Sequence, residues 1–278
     1  MVSILFGLIV GVSLGLTGGG GAVFAVPLLV YGEGLSPREA VGVSLFSVGA
    51  TALAGFLSRL RRGDIELRPG LLFAAAGVIG APLGTAIAAR MPEMVLMLLL
   101  GLLMVLIAVR MWWANPAVRT QSLLVQSELS GATECSVQLP TAACRRDSFG
   151  QLLLTTRCAR LLLTVGLGAG VLSGTFGVGG GFLIVPALVE FSGMTMRRAV
   201  GTSLLVIFLV SISGIVSRVF AGEVPAMASI GMFLPGCLAG LWVGQAVSRR
   251  LPQGILQRIF SAAIMVVAVL LIVKNFSE

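Results

Sequence analysis

The residues best suited to chemistry in this chain are two clusters of glycine, Gly18-Gly19-Gly20-Gly21 and Gly177-Val178-Gly179-Gly180-Gly181. Each precedes a short apolar run around a proline, Ala22 to Tyr31 around Pro27 and Phe182 to Glu190 around Pro186. A helix that begins just after glycines exposes unbonded N–H groups and the positive end of its dipole. Glycine also permits the left-handed backbone of an anion-binding nest. The chemistry expected here is therefore capture of a small anion by the backbone amides of Gly18, Gly19, Gly20 and Gly21, and of Gly177, Gly179, Gly180 and Gly181. The plainer reading of a glycine in an apolar helix is close helix packing. That reading is preferred for the scattered Gly7, Gly11, Gly77 and Gly101.

A second pair of motifs, Gly42-Val43-Ser44 and Gly201-Thr202-Ser203, lies early in a long apolar run of each half. The hydroxyls of Ser44, Thr202 and Ser203 are uncharged donors that could hold an oxyanion and still release it. Thr17 and Thr175, beside the glycine clusters, could do the same. The alternative for all of them is bonding to helix backbone, common for Ser and Thr in membranes. Arg59 and Arg218 each end an apolar run and could gate a mouth or attract an anion; the alternative is an interfacial arginine whose head snorkels to water. Glu190 could carry protons but reads better as interfacial. With no histidine, no HExxH, no phosphate loop and no nucleophile elbow, no enzyme is indicated, nor any cofactor or metal. The four cysteines, Cys135, Cys144, Cys158 and Cys237, are scattered and read as incidental.

These groups are carried on elements that only a bilayer can hold. Of 278 residues, 57 % are hydrophobic and 11 % charged, and mean hydropathy is +1.04; soluble domains carry about 25 % charged residues. The apolar runs lack the period-two alternation of a barrel, so membrane helices are implied. Six are long enough to span: 40–58, 70–89, 94–113, 199–217, 226–247 and 254–273. Four are too short alone: 2–16, 22–32, 160–173 and 182–191. They come in pairs, each split by a glycine cluster. The stretch 2–16 lacks the charged start and cleavage site of a signal peptide and is retained as structure. Residues 114–157 are a polar linker, opened by Asn115-Pro116 after the interfacial pair Trp112-Trp113, with room for a short amphipathic piece near Leu123 to Leu129. The basic balance, 19 Lys+Arg against 11 Asp+Glu, reads as charged loops and not as a nucleic-acid surface.

The two halves repeat. A shift of 159 places Gly15, Gly18, Gly20, Gly21 and Pro27 on Gly174, Gly177, Gly179, Gly180 and Pro186. It also places Ala40-Val41-Gly42-x-Ser44-Leu45 on Ala199-Val200-Gly201-x-Ser203-Leu204, and Ser58-Arg59 on Ser217-Arg218. From Gly15 to Glu66, 19 of 52 positions are identical without a gap. One residue more carries Gly80, Gly84 and Pro92 onto Gly240, Gly244 and Pro252. If each glycine-split pair is re-entrant and three full crossings follow it, 15 of the 19 basic residues fall on one face and 4 on the other. By the positive-inside rule the first face is cytoplasmic and both termini lie outside. The charge pattern inverts between halves while the motifs persist, as inverted repeats require. If each split pair instead crossed once, this asymmetry would be lost; two full crossings per pair would keep it.

Taken together, Gly15-x-x-Gly18-Gly19-Gly20-Gly21 with Pro27-Leu28, Ala40-Val41-Gly42-x-Ser44 and their copies in the second half resemble the TauE/SafE sulfite exporter family. The resemblance runs from about Gly11 to the last apolar segment, excluding the linker. It departs in the run of four glycines and in the longer, cysteine-bearing linker. It implies secondary transport of sulfite, of organosulfonates such as sulfoacetate, or of similar small organic anions. The expected protein is thus all-α and integral to the cell inner membrane, built as two inverted-topology repeats. Each repeat, 1–113 and 158–278, is a glycine-broken re-entrant helix pair plus three transmembrane helices, and 114–157 is a cytoplasmic linker. Its partners are a small anionic substrate and the lipid bilayer, with a homo-oligomer left open and no nucleic acid. An anion channel, and a membrane enzyme or thiol carrier using Cys158 or Cys237, are the alternatives.

Overall fold

The computed structural model describes residues 2–60, 65–113, 145–146, 152–153, 156–192, 194, 196–223, 226–248, 262–268 and 270–271. Helix α1 (Val2–Thr17) leads through the glycine loop into a 3-10 turn (Gly20–Phe24) and α2 (Ala25–Glu33). Then come α3 (Pro37–Leu60), α4 (Leu67–Arg90) and α5 (Glu93–Trp113). The second half holds α6 (Thr156–Phe176), α7 (Gly181–Ser192), α8 (Met196–Phe220) and α9 (Met227–Val247), and residues 262–268 are also helical. A two-residue ladder pairs Arg145–Arg146 with Leu152–Leu153. The amphipathic piece near Leu123 to Leu129 and most of the run 254–273 lie outside the described residues.

Among the described residues, five helices are long and apolar enough to cross a membrane, at Pro37–Leu60, Leu67–Arg90, Cys158–Phe176, Arg197–Phe220 and Met227–Val247. The third corrects the expectation for 160–173. Thr156, Arg157 and Cys158 extend the helix at one end, and at the other Thr175 satisfies its hydroxyl on the Val171 carbonyl at 2.8 Å. Polar residues that read as linker or loop thus sit within helical turns. Large apolar side chains face outward, among them Ile79, Leu83, Leu102, Leu106 and Trp242. In water such a surface would aggregate; in lipid it costs nothing.

Small residues fill the interior because lipid tails are as apolar as leucine, so helices associate by close packing. Two seams show it. A Cβ on Gly7, Gly11 or Gly15 of α1 would collide with the backbone of α9 around Phe233, Cys237 and Leu241. A Cβ on Gly236, Gly240 or Gly244 would strike α1 in return. The same arrangement joins Gly77, Gly80 and Gly84 of α4 to Gly166, Gly170 and Gly174 of α6. Contact positions rise together along both partners, so each seam is parallel.

The two helices that carry the repeated Ala-Val-Gly-x-Ser-Leu motif, α3 and α8, run antiparallel. Gly49 lies on Ser211, Gly55 on Leu204 and Gly214 on Leu45. Helix α2 folds back along α1, with Gly32 against the Phe6 ring and Gly21 against Ser13 and Leu14. Helix α3 is parallel to α9, since Gly55 meets Leu241 and Ser58 Oγ donates to Gln245 Oε1. It is therefore parallel to α1 as well. A split pair that crossed once would leave α1 and α3 antiparallel, so that topology is excluded.

The seams predict a contrast between glycines. Gly240→Leu, driven into the α1 backbone, lowers stability by about 1–3 kcal/mol or more. Gly231→Ala, on the same helix with nothing within 4 Å of a new Cβ, is neutral or gains about 0.5–1 kcal/mol. Thermal unfolding of the purified variants in detergent distinguishes the two.

Candidate functional site

The glycine clusters meet at the centre of the bundle. Helix α1 stops because Gly18 and Gly19 take φ values of 74° and 152°, which side-chain-bearing residues resist. Gly177, Gly179 and Gly180 do the same after α6, at 67°, 65° and 61°. All of Gly18 to Gly21 and Gly177 to Gly181 are buried. A Cβ on Gly19 would stand 2.6 Å from the Gly181 Cα, and one on Gly181 would stand 2.5 Å from the Gly19 Cα. The loops touch backbone to backbone, so in this conformation no anion fits between those two residues.

Each loop is held by the opposite half. Ser44 Oγ donates to the Gly177 carbonyl at 2.7 Å, and Ser203 Oγ donates to the Gly18 carbonyl at 2.6 Å. Gly177 rests on Val41, and Gly18 on Val200. Each of these contacts becomes the other when 159 is added to or subtracted from its residue numbers. Both serines are fully buried. A carbonyl at a helix end inside an apolar bundle needs a donor, and these two hydroxyls supply it.

The amides divide into two sets. Gly18 N–H donates to Leu14 O and Gly177 N–H to Ser173 O, both at 2.8 Å, closing the helices behind them. The amides of Gly19, Gly20 and Gly21 precede the first bonded turn of the 3-10 segment and take no part in these bonds, nor do those of Gly179 and Gly180. The remaining hydroxyls are engaged with backbone. Thr17 Oγ1 donates to Ser13 O at 2.7 Å, and Thr175 Oγ1 also reaches Gly84 O at 3.2 Å. Thr202 Oγ1 accepts the Glu66 N–H at 3.1 Å, at the N-terminus of α4. Gly42 and Gly201 are buried beside the docking valines. Three hydroxyls that the sequence did not single out, Ser47, Ser173 and Ser211, are buried with no partner among the described residues. Their signal was a polar residue inside an apolar helix.

Arg59 and Arg218 stand at opposite ends of the α3–α8 pair. Arg59 is partly exposed and reaches the Arg197 carbonyl at 3.5 Å. Arg218 is 4 % exposed, pairs with Glu223 at 2.6 Å and reaches the Arg38 carbonyl at 3.4 Å. The side chain of Glu190 lies outside the described residues, as do Cys135 and Cys144. Cys158 is disulfide-bonded, and Cys237 is a buried free thiol.

The family described as "Sulfite exporter TauE/SafE" matches residues 3–271. A "Probable membrane transporter protein" of Xylella fastidiosa (strain Temecula1) is 31 % identical over 100 % of this chain and 97 % of its own length. "Probable membrane transporter protein YdhB" of Bacillus subtilis is 26 % identical over 92 % of this chain and 94 % of its own. No solved structure matches. The chain is a multi-pass membrane transporter and belongs to the sulfite exporter TauE/SafE family.

Proposed function

We propose that this transporter is a secondary carrier of small sulfur-containing anions, sulfite or organosulfonates such as sulfoacetate, working by alternating access between two inverted repeats. The reciprocal pair of hydrogen bonds, Ser44 to Gly177 and Ser203 to Gly18, carries the proposal. A reciprocal pair is what two loops related by a pseudo-two-fold axis would make, and carriers built on such an axis bind substrate there. The antiparallel run of α3 and α8 supports the inversion. The contact between Gly19 and Gly181 favours a carrier over an open channel, because the loops must part before an anion can reach their free amides.

On this reading the amides of Gly19, Gly20, Gly21, Gly179 and Gly180 bind the anion's oxygens. Ser44 and Ser203 hold the loops in register, and Thr17, Thr175 and Thr202 come within reach only if their backbone bonds are exchanged for substrate. The sulfur assignment follows the family description; the names of the relatives carry no substrate. We place the chain in the inner membrane with residues 114–157 cytoplasmic and both termini outside. Each unit of negative charge leaving a negative-inside cell then gains about 2.3 kcal/mol per 100 mV. Export of a dianion runs downhill on voltage alone, whereas uptake needs a coupled ion.

Two measurements test this. Purified protein warmed with sulfite, thiosulfate, sulfate, taurine, sulfoacetate or plain carboxylates should be stabilised by one or two sulfur oxyanions only, by about 2.7 kcal/mol at a hundred times Kd; a response confined to carboxylates removes the sulfur assignment. Gly181→Ala adds a Cβ where Gly19 and Ile207 leave no room. It should abolish transport in vesicles while the protein still reaches the membrane; unchanged flux would count against the glycine loops as the site.

A further inference from the structure

The ends of α3 and α8 carry a feature that the glycine loops do not require. Helix α8 closes on Gly222, at φ 80°, with Gly222 N–H donating to Val219 O and Glu223 N–H to Arg218 O, both at 3.0 Å. This is a Schellman cap, in which a left-handed glycine turns the chain back over the last turn. Here it swings the Glu223 carboxylate onto the Arg218 guanidinium at 2.6 Å. The same guanidinium nitrogen donates to the Arg38 carbonyl, in the first turn of α3. One turn further along α3, Val41 covers the Gly177 loop. Cap, arginine, first turn and loop thus form one continuous stack leading inward from that end.

At the other end the stack recurs with the halves exchanged. Arg59, the repeat counterpart of Arg218, donates to the carbonyl of Arg197, the counterpart of Arg38. Val200, one turn on, covers the Gly18 loop. The sequence repeats too, as Ser58-Arg59-x-x-x-Gly63-Asp64 and Ser217-Arg218-x-x-x-Gly222-Glu223. The two ends differ in burial, Arg218 being 4 % exposed and Arg59 partly exposed.

We infer that Arg218, Glu223 and the Arg38 carbonyl form a latch that shuts the passage to the Gly177 loop, that Arg59 on the Arg197 carbonyl shuts the passage to the Gly18 loop, and that the two open in alternation. Glu223 is a positioning residue in this device. It neutralises and aims the guanidinium, which at a bilayer edge would otherwise be costly to bury. With the carboxylate gone, the arginine turns to water and the first turn of α3 is released. This rests on the alternating-access reading above and needs no knowledge of the substrate.

The test is sided thiol labelling. Val41→Cys and Val200→Cys are made separately, each alone and with Glu223→Gln or Arg59→Gln. A membrane-impermeant maleimide is applied to right-side-out and inside-out vesicles, with the parent protein as background. Glu223→Gln should raise labelling of residue 41 from the Arg218 side at least threefold and lower labelling of residue 200 from the other side. Arg59→Gln should do the reverse. If Glu223→Gln lowers only the melting temperature and leaves both labelling rates unchanged, the pair is structural and the latch is overturned. If positions 41 and 200 label together from both sides without any gate substitution, alternating access itself fails, an outcome distinct from the first.

Discussion

Everything in this bundle depends on the rule that a backbone polar group removed from water must find a partner. Breaking a helix in the middle of a membrane protein strands carbonyls at its end, at a cost of several kcal/mol each if they stay unpaired. The breaks after α1 and α6 are tolerated because Ser203 and Ser44 each lend a hydroxyl to a carbonyl of the opposite half. The partner of each break thus comes from the other repeat. Neither half can complete its own glycine loop, which binds the two halves together.

The glycine seams serve the same geometry. With glycine every three or four residues, α1 lies directly on the backbone of α9, and α4 on that of α6. Each seam joins one half to the other, so the first half reaches across to the second on both flanks while α3 and α8 cross at the centre. In lipid, where helices gain nothing by hiding apolar surface from one another, such backbone-to-backbone packing is what holds them together.

Much of this was legible in the sequence, because its signals were local or periodic. The apolar runs marked α3, α4, α5, α8 and α9, and the 159-residue shift paired the motifs that now dock on one another. The packing role of Gly7, Gly11 and Gly77 was read correctly from their isolation. What the sequence obscured was which polar atom faces which. Ser44 and Thr202 looked alike as hydroxyls beside a glycine, yet one holds the Gly177 carbonyl and the other receives the Glu66 amide. That difference is tertiary and has no local signal. The length of α6 was underestimated for a related reason: Thr156, Arg157 and Cys158 are polar in composition but helical in place. Glu223 has no local signal either, because its approach to Arg218 depends on the left-handed turn at Gly222.

The inversion of the two repeats is the claim on which the rest of the functional account stands. Glu39 and Arg198 are repeat counterparts, both exposed, at the first turns of α3 and α8. With Glu39→Cys and Arg198→Cys made singly and treated with an impermeant thiol reagent in oriented vesicles, the account predicts labelling from opposite faces of the membrane. Labelling of both from one face would mean that the repeats are parallel and would contradict it.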